Sequence, residues 1–233
     1  MKKYISVISV FAIWLIYLLG LNPILEAFGI INWLHSLGQF SSLTSIIVQE
    51  IPIILILLLL NHFFWHQKLL FKAYNWKKSI GMLVVPLLMF IAGLIIALSK
   101  QASVSYIFLA IVATLLIGLA EELTFRGLIF GILVKNSKNK IIAPLFISSI
   151  LFGLTHLVNL RHQPLNNTMI QVLAVMAFGL FAAVVYMKTS NLLFAIFVHA
   201  MNDFMAIMVS SGRLSSQQTN PLNILYEWFV FGI

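Results

Sequence analysis

Long apolar runs separated by short polar segments make up most of this chain. A bilayer core about 30 Å thick requires roughly 20 residues of helix, and seven runs reach or approach that length. They predict membrane-spanning helices over residues 4–20, 46–65, 79–99, 104–134, 141–158, 168–187 and 191–209. The fourth run is longer than a span requires, so we expect its helix to be tilted, protruding or broken. The apolar segment 222–233 is shorter, and is predicted either to dip into the membrane interface or to form part of an eighth helix.

Composition agrees with this pattern of spans. Of the 233 residues, 61% are hydrophobic and only 9% are charged, whereas a soluble domain carries about 25% charged residues. We therefore predict an all-α fold, a polytopic transmembrane helical bundle. One membrane domain is expected over residues 1–233, with N-terminal spans in 1–100 and a second group of spans over 104–209. Because the chain has no cysteine, catalysis by a thiol and thiolate metal ligands are excluded.

The net charge of +8 predicts membrane orientation rather than nucleic-acid binding. Ten basic residues fall in alternate loops and three in the opposite loops, and the basic side of a membrane protein usually faces the cytoplasm. A multi-pass protein with a cytoplasmic N-terminus is therefore expected. The first apolar run lacks a small-residue cleavage site, so it is predicted to be an uncleaved helix. The Lys-, Asn- and Ile-rich sequence favours the plasma membrane of a bacterium.

Six ionisable residues interrupt the later apolar runs, namely Glu121, Glu122, Arg126, His156, His199 and Asp203. Such groups cost a few kcal/mol each at bilayer depth, so they usually face a cavity or pair with one another. Glu122 and Arg126 are four residues apart and can form an ion pair within one helix without any further function. That explanation leaves the other four residues without a reason to be in a membrane span.

These side chains are predicted to share one depth in the membrane. A helix rises about 1.5 Å per residue, which places Glu121, His156, His199 and Asp203 each roughly 16–23 Å from a basic loop. Three different helices would thus bring polar groups into one layer. Glu121 and Glu122 diverge by about 100° around their helix, so one can face a cavity while the other serves Arg126 or a neighbouring helix.

Carboxylates and imidazoles in one buried layer suit the hydrolysis of a carbonyl compound. A carboxylate there can act as a general base that takes a proton from water. Two histidines and a carboxylate are also a familiar zinc-binding set. In a third interpretation, His199 and a protonated Asp203 donate hydrogen bonds to an oxyanion. The GxSxG, HExxH and Walker A motifs are absent from the sequence, and the residues alone leave these three interpretations open.

Three short motifs in the later spans resemble those of a known family. Glu121-Glu122-Leu-Thr-Phe-Arg126 fits an EExxxR motif, Phe152-Gly-Leu-Thr-His156 an FxxxH motif, and His199-Ala-Met-Asn-Asp203 an HxxxN/D motif. Together, and in this order, they resemble the CAAX-protease and bacteriocin-processing family (CPBP, or Abi), which includes the type II CAAX prenyl endopeptidases. The resemblance covers roughly residues 104–205, which makes 104–209 the predicted catalytic core. It implies an intramembrane endopeptidase.

The resemblance also implies a role for each of the six residues. Glu121 would activate the attacking water, and His156 would assist it. His199 and Asp203 would stabilise the oxyanion, while Glu122 and Arg126 would orient these groups. Members of the family are described either as metalloproteases or as glutamate-dependent enzymes without metal. In the first case Zn²⁺ or another divalent metal would be held by Glu121, His156 and His199; in the second case no cofactor is expected.

The resemblance to the bacterial branch of this family implies a peptide or protein substrate that enters from the lipid bilayer. The predicted role is the maturation of a bacteriocin or pheromone peptide, or self-immunity. The alternatives are a non-catalytic immunity or binding protein and, less favoured because no internal repeat is present, a small transporter. Nucleic acid is not an expected partner, and the oligomeric state is left open. Glu50, near the outer edge of the second span, is interpreted as an interfacial carboxylate.

Overall fold

The computed structural model describes residues 2–71, 79–137, 140–161 and 163–210. Within these residues the chain is helical, and the only β-type pairing is an isolated bridge between Phe71 and Asn191. The predicted all-α class is therefore confirmed. The segment 222–233, for which an eighth helix or an interfacial position was predicted, lies outside the described residues.

The helices follow one another along the chain with short connections. In chain order they are α1 (Lys2–Ala27), α2 (Ile30–His35), α3 (Ser41–Leu60), α4 (Val84–Ser99), α5 (Val104–Glu122), α6 (Gly131–Asn136), α7 (Ile142–Thr155), α8 (Leu165–Thr189) and α9 (Leu192–Ser210). Five shorter helical segments lie between or beside them: 3₁₀ turns at Gly38–Phe40, Gly81–Leu83 and His156–Arg161, and π-helical segments at Asn61–Trp65 and Leu123–Phe130.

Seven helices of the described chain are long and apolar enough to cross a membrane, as predicted from the apolar runs. The boundaries differ most at the first two spans. The first continues through Pro23 to Ala27, and the second begins at Ser41 rather than at residue 46. Proline removes a single backbone donor, and membrane helices accommodate that loss. Both spans are therefore longer than the apolar runs alone indicated.

The fourth span is continuous in space but interrupted in its hydrogen bonding. Over Val104–Asn136, α5 passes into the π-helical segment Leu123–Phe130 and then into α6. All eight residues of that segment are buried. A π-helical turn is wider than an α-helical turn and is frequent at functional sites. Here it begins directly after Glu121 and Glu122 and includes Arg126, so the irregular part of this long run overlaps the first motif.

Helix α9 lies at the centre of the bundle. It packs against α4, α5 and α8. Of the 18 residues in its most apolar stretch, 78% are buried within the protein, a larger share than in any other described span. The outer helices instead expose large apolar side chains such as Ile8 (65%), Leu88 (60%) and Ile95 (61%). Such an outward face is typical of contact with lipid, because soluble proteins rarely expose a continuous apolar surface of this size. The chain is a multi-pass membrane protein.

Contacts at both ends fix the position of α9. At its start, the N–H of Leu192 donates to the carbonyl of Leu70 at 2.8 Å. At its end, Lys100 Nζ donates to the carbonyls of Met208 and Val209 at 2.8 and 2.6 Å. A lysine at a helix C-terminus satisfies carbonyls that have no partner within the helix. The helix that carries His199 and Asp203 is thereby held in register with its neighbours.

Candidate active site

A fully buried ion pair lies beneath the site. Arg126 and Glu122 are both 0% exposed, and Arg126 Nη1 donates to Glu122 Oε1 at 2.8 Å. Arg126 Nη2 donates to the carbonyl of Gly179 on α8 at 3.0 Å, and the guanidinium carbon lies 4.5 Å from the centre of the Phe152 ring. Buried charges are tolerated when they are paired and hydrogen-bonded. This arginine therefore joins the first motif to α7 and α8.

His199 is the point at which three carboxylates converge. Its Nδ1 lies 2.8 Å from Glu122 Oε1, and its Nε2 lies 3.4 Å from both Glu121 Oε2 and Asp203 Oδ2. An ionised carboxylate only accepts hydrogen bonds, so Nδ1–H donates to Glu122 and Nε2 faces the other two acids. The adjacent residues Glu121 and Glu122 thus contact opposite nitrogens of one imidazole ring.

A close approach of α5 to α9 makes these contacts possible. A Cβ atom at Gly118 would lie 2.9 Å from the carbonyl oxygen of Ile196 and 3.4 Å from His199 Cβ. Only glycine allows the two helices to come this near, because any side chain would push them apart at the level of the imidazole. The rings of Phe152 and Phe178 then flank His199 edge-on, with centroids 5.8 and 5.1 Å away.

Four of the six predicted residues line one cavity of about 230 Å³, namely Glu121, His156, His199 and Asp203. The Glu121 side chain is 18% exposed, whereas that of Glu122 is completely buried. Glu122 and Arg126 do not line the cavity. The structure thus divides the six residues into a group that a substrate can reach and a buried pair that contacts this group through His199.

His156 stands at the start of the 3₁₀ turn that follows α7. Its Nδ1 lies 3.3 Å from Thr155 Oγ1 and 3.4 Å from the carbonyl oxygen of Phe152. The Phe152 ring contacts His156 edge-on at 5.6 Å as well as Arg126 and His199. Phe152 therefore separates the buried arginine from the two histidines, which gives the phenylalanine of the FxxxH motif a clear packing role.

The predicted metal ligands Glu121, His156 and His199 do not fit a metal ion in this arrangement. Among the described residues, no group of three or more His, Cys, Asp or Glu side chains is placed to hold one. Both ring nitrogens of His199 already face carboxylate oxygens.

Glu50, which was interpreted from the sequence as an interfacial carboxylate, is a cavity-lining residue that the sequence analysis did not place at the site. It lines the cavity together with Gln49, and its Oε1 accepts a hydrogen bond from Tyr17 OH at 3.1 Å. An acidic residue within a span is a candidate functional residue by default. That signal was present, but the position of Glu50 near the end of its apolar run favoured the interface.

The three motifs bring their ionisable side chains together within the membrane spans, which is the feature to compare with known proteins. Residues 102–205 match the model of a protein family described as type II CAAX prenyl endopeptidase Rce1-like. The matched region contains all three motifs, and the predicted resemblance to the CAAX proteases is confirmed. The family points to a CAAX-type membrane protease. The chain has no significant match among curated proteins or among solved structures.

Proposed function

We propose that this protein is an intramembrane endopeptidase in which Glu121 activates the water that attacks a peptide bond. The observation that carries the proposal is the position of Glu121: its carboxylate faces the cavity 3.4 Å from His199 Nε2, with Asp203 at the same nitrogen. A base, a water-accessible cavity and hydrogen-bond donors for an oxyanion then lie within one small volume, as general-base hydrolysis requires.

The first step is the addition of water to the carbonyl carbon of the substrate. The Glu121 carboxylate takes one proton from a water molecule in the cavity, and the water oxygen forms a bond to that carbon. The carbonyl oxygen becomes an oxyanion. His199, protonated at both nitrogens, donates through Nε2 to this oxyanion, while protonated Asp203 donates a second hydrogen bond. His156, on the wall of the same cavity, holds the water.

The second step is the collapse of the tetrahedral intermediate. The protonated Glu121 gives its proton to the amide nitrogen, the C–N bond breaks, and the products leave as a carboxylic acid and an amine. Glu122 accepts from His199 Nδ1–H throughout and fixes the orientation of the ring, as the buried acid of a catalytic triad does. Arg126 in turn fixes Glu122.

The substrate proposed for this reaction is a peptide that enters the cavity from the membrane. Maturation of a bacteriocin or pheromone peptide, or self-immunity through such cleavage, fits a multi-pass enzyme in the plasma membrane of a bacterium with a cytoplasmic N-terminus. The buried position of the site supports this proposal, because a substrate partitioned into the bilayer reaches it without crossing an aqueous phase.

The proposal is tested by digesting a peptide library with the purified protein in liposomes prepared in H₂¹⁸O. Mass spectrometry should show fragments that accumulate with time, each with ¹⁸O in its new C-terminal carboxyl group, because water is the nucleophile. Liposomes without protein provide the background. If no peptide from a library of membrane-partitioning sequences is cut, the endopeptidase proposal fails, and a non-catalytic immunity or binding protein becomes the better explanation.

Asp203 provides a separate prediction about the oxyanion. Its Oδ1 accepts from Asn202 Nδ2 at 3.3 Å, and its Oδ2 lies beside His199. Asp203→Asn keeps a hydrogen-bond donor, so kcat should stay within about tenfold of the wild type. Asp203→Leu removes the donor and should lower kcat by about 10²- to 10³-fold. Equal losses in both variants would instead show that the negative charge of Asp203 is what the enzyme needs.

A further inference from the structure

A third carboxylate, that of Glu50, faces the cavity from the wall formed by α1 and α3. Glu50 Oε1 accepts one hydrogen bond from the neutral Tyr17 hydroxyl at 3.1 Å. Its Oε2 is buried and has no hydrogen-bond partner among the described residues. The catalytic steps do not use Glu50, and it lies outside the region 102–205 that matches the protease family. Its position in the cavity therefore needs a different explanation.

The part of the cavity wall that the structure describes carries no lysine or arginine to neutralise Glu50. Among the described residues that line it there are three carboxylates, those of Glu50, Glu121 and Asp203, and no lysine or arginine. Arg126 lies behind the cavity and donates to Glu122 and Gly179. His199 already has three carboxylate neighbours. A carboxylate removed from water without a cationic partner is costly, and a cation supplied from outside would relieve that cost.

The architecture of the wall keeps Glu50 in place. Tyr17 belongs to α1, whose Trp14 is 1% exposed and packs edge-on against Phe125 of the π-helical segment at 5.8 Å. The rings of Trp14 and Tyr17 are 5.3 Å apart. The hydroxyl that holds Glu50 is thus tied to the segment that follows Glu121 and Glu122. A carboxylate fixed in this way can discriminate between substrates, because it loses little freedom when it binds one.

We propose that Glu50 is a specificity-determining residue that binds the ammonium or guanidinium group of a Lys or Arg side chain in the substrate peptide. This inference rests on the proposed function, because it takes the cavity to be the place where the peptide is cut. The volume of about 230 Å³ is room for several water molecules at about 30 Å³ each, so one long side chain can enter as water leaves. Tyr17 then holds one carboxylate oxygen while the other accepts from the cation.

The test compares peptides that differ only at one residue near the scissile bond, with Lys, Arg, neutral norleucine or Glu at that position. Each position of a cleaved library peptide is varied in turn. At one of them the wild type should favour Lys or Arg over norleucine by about 10- to 100-fold in kcat/KM, the range expected for a buried hydrogen bond to a charged group. A Glu residue at that position should be rejected.

Variants assign this preference to Glu50. In Glu50→Gln the ratio of kcat/KM for the Lys peptide to that for the norleucine peptide should fall to near one, since glutamine keeps the hydrogen bond from Tyr17 but carries no charge. Glu26→Gln makes the same chemical change at an exposed site on α1 and should keep the wild-type ratio. Glu50→Lys should reverse the ratio in favour of the Glu peptide.

Several outcomes would overturn the inference, and they differ from failure of the proposed function. If the wild type cuts peptides but shows no preference for a basic residue at any position, Glu50 binds no substrate cation. This outcome is measured on the wild-type protein alone, so it does not depend on whether a variant folds. If Glu50→Gln slows Lys and norleucine peptides equally, Glu50 is a structural residue. The complete absence of cleavage by the wild type would instead contradict the endopeptidase proposal itself.

Discussion

The substitution Glu121→Gln is expected to lower the rate of peptide cleavage by about 10²- to 10⁴-fold, the usual contribution of a general base. Glutamine has the size and shape of the glutamate side chain but cannot take a proton from water. The Glu121 side chain is 18% exposed to the cavity and lies 3.4 Å from His199 Nε2, so the amide can replace the carboxylate without a new clash. The loss should therefore appear in kcat, with little change in the free energy of unfolding.

The measurement is the single-turnover cleavage rate of one library peptide in liposomes, together with unfolding in detergent for each variant. Glu26→Gln serves as the matched control, because it neutralises an exposed carboxylate at the end of α1. Its rate should equal that of the wild type. A folded Glu121→Gln variant that cuts at the wild-type rate would show that another group activates the water.

The sequence allowed the membrane fold to be predicted because it depends mainly on the length of apolar runs. The bilayer sets that length, so seven spans could be identified without knowing how the helices pack. The π-helical segment Leu123–Phe130 could not be predicted in the same way. The segment packs against α1 and α7, contacts that lie far away in the sequence or across a loop, and the apolar pattern of the run is the same for both kinds of helix. The sequence indicated only that the run was too long for one regular span.

The candidate site shows a similar limit. Spacing within one helix predicted that Glu122 can pair with Arg126, and that the adjacent Glu121 and Glu122 point in different directions. Spacing within one helix says nothing about contacts between helices, so the convergence of both glutamates on the two nitrogens of His199 could not be derived. The place of Glu50 in the cavity could not be derived for the same reason, since its partner Tyr17 is 33 residues away on another helix.

The buried pair gives a second large effect, this time on stability. Arg126→Met should lower the free energy of unfolding by about 3–5 kcal/mol, because removing one member of a buried ion pair leaves the other charge without its partner. Methionine fills much of the volume of arginine, so lost packing is a small part of the loss. Arg161→Met changes an exposed arginine in the same way and should alter the free energy of unfolding by less than about 0.5 kcal/mol.

The double variant Glu122→Gln/Arg126→Met separates the charge from the rest of the arginine. In Arg126→Met alone the buried Glu122 carboxylate has lost its cation, whereas in the double variant residue 122 carries no charge. The double variant should therefore have the higher free energy of unfolding. Its cleavage rate should stay low, because the Glu122 carboxylate that holds His199 Nδ1 at 2.8 Å is gone. Recovery of stability without recovery of activity would show that the pair exists to orient His199. If Arg126→Met were no less stable than Arg161→Met, the pair would have no such energetic role, and the orientation of His199 would have to come from Phe152 and Phe178.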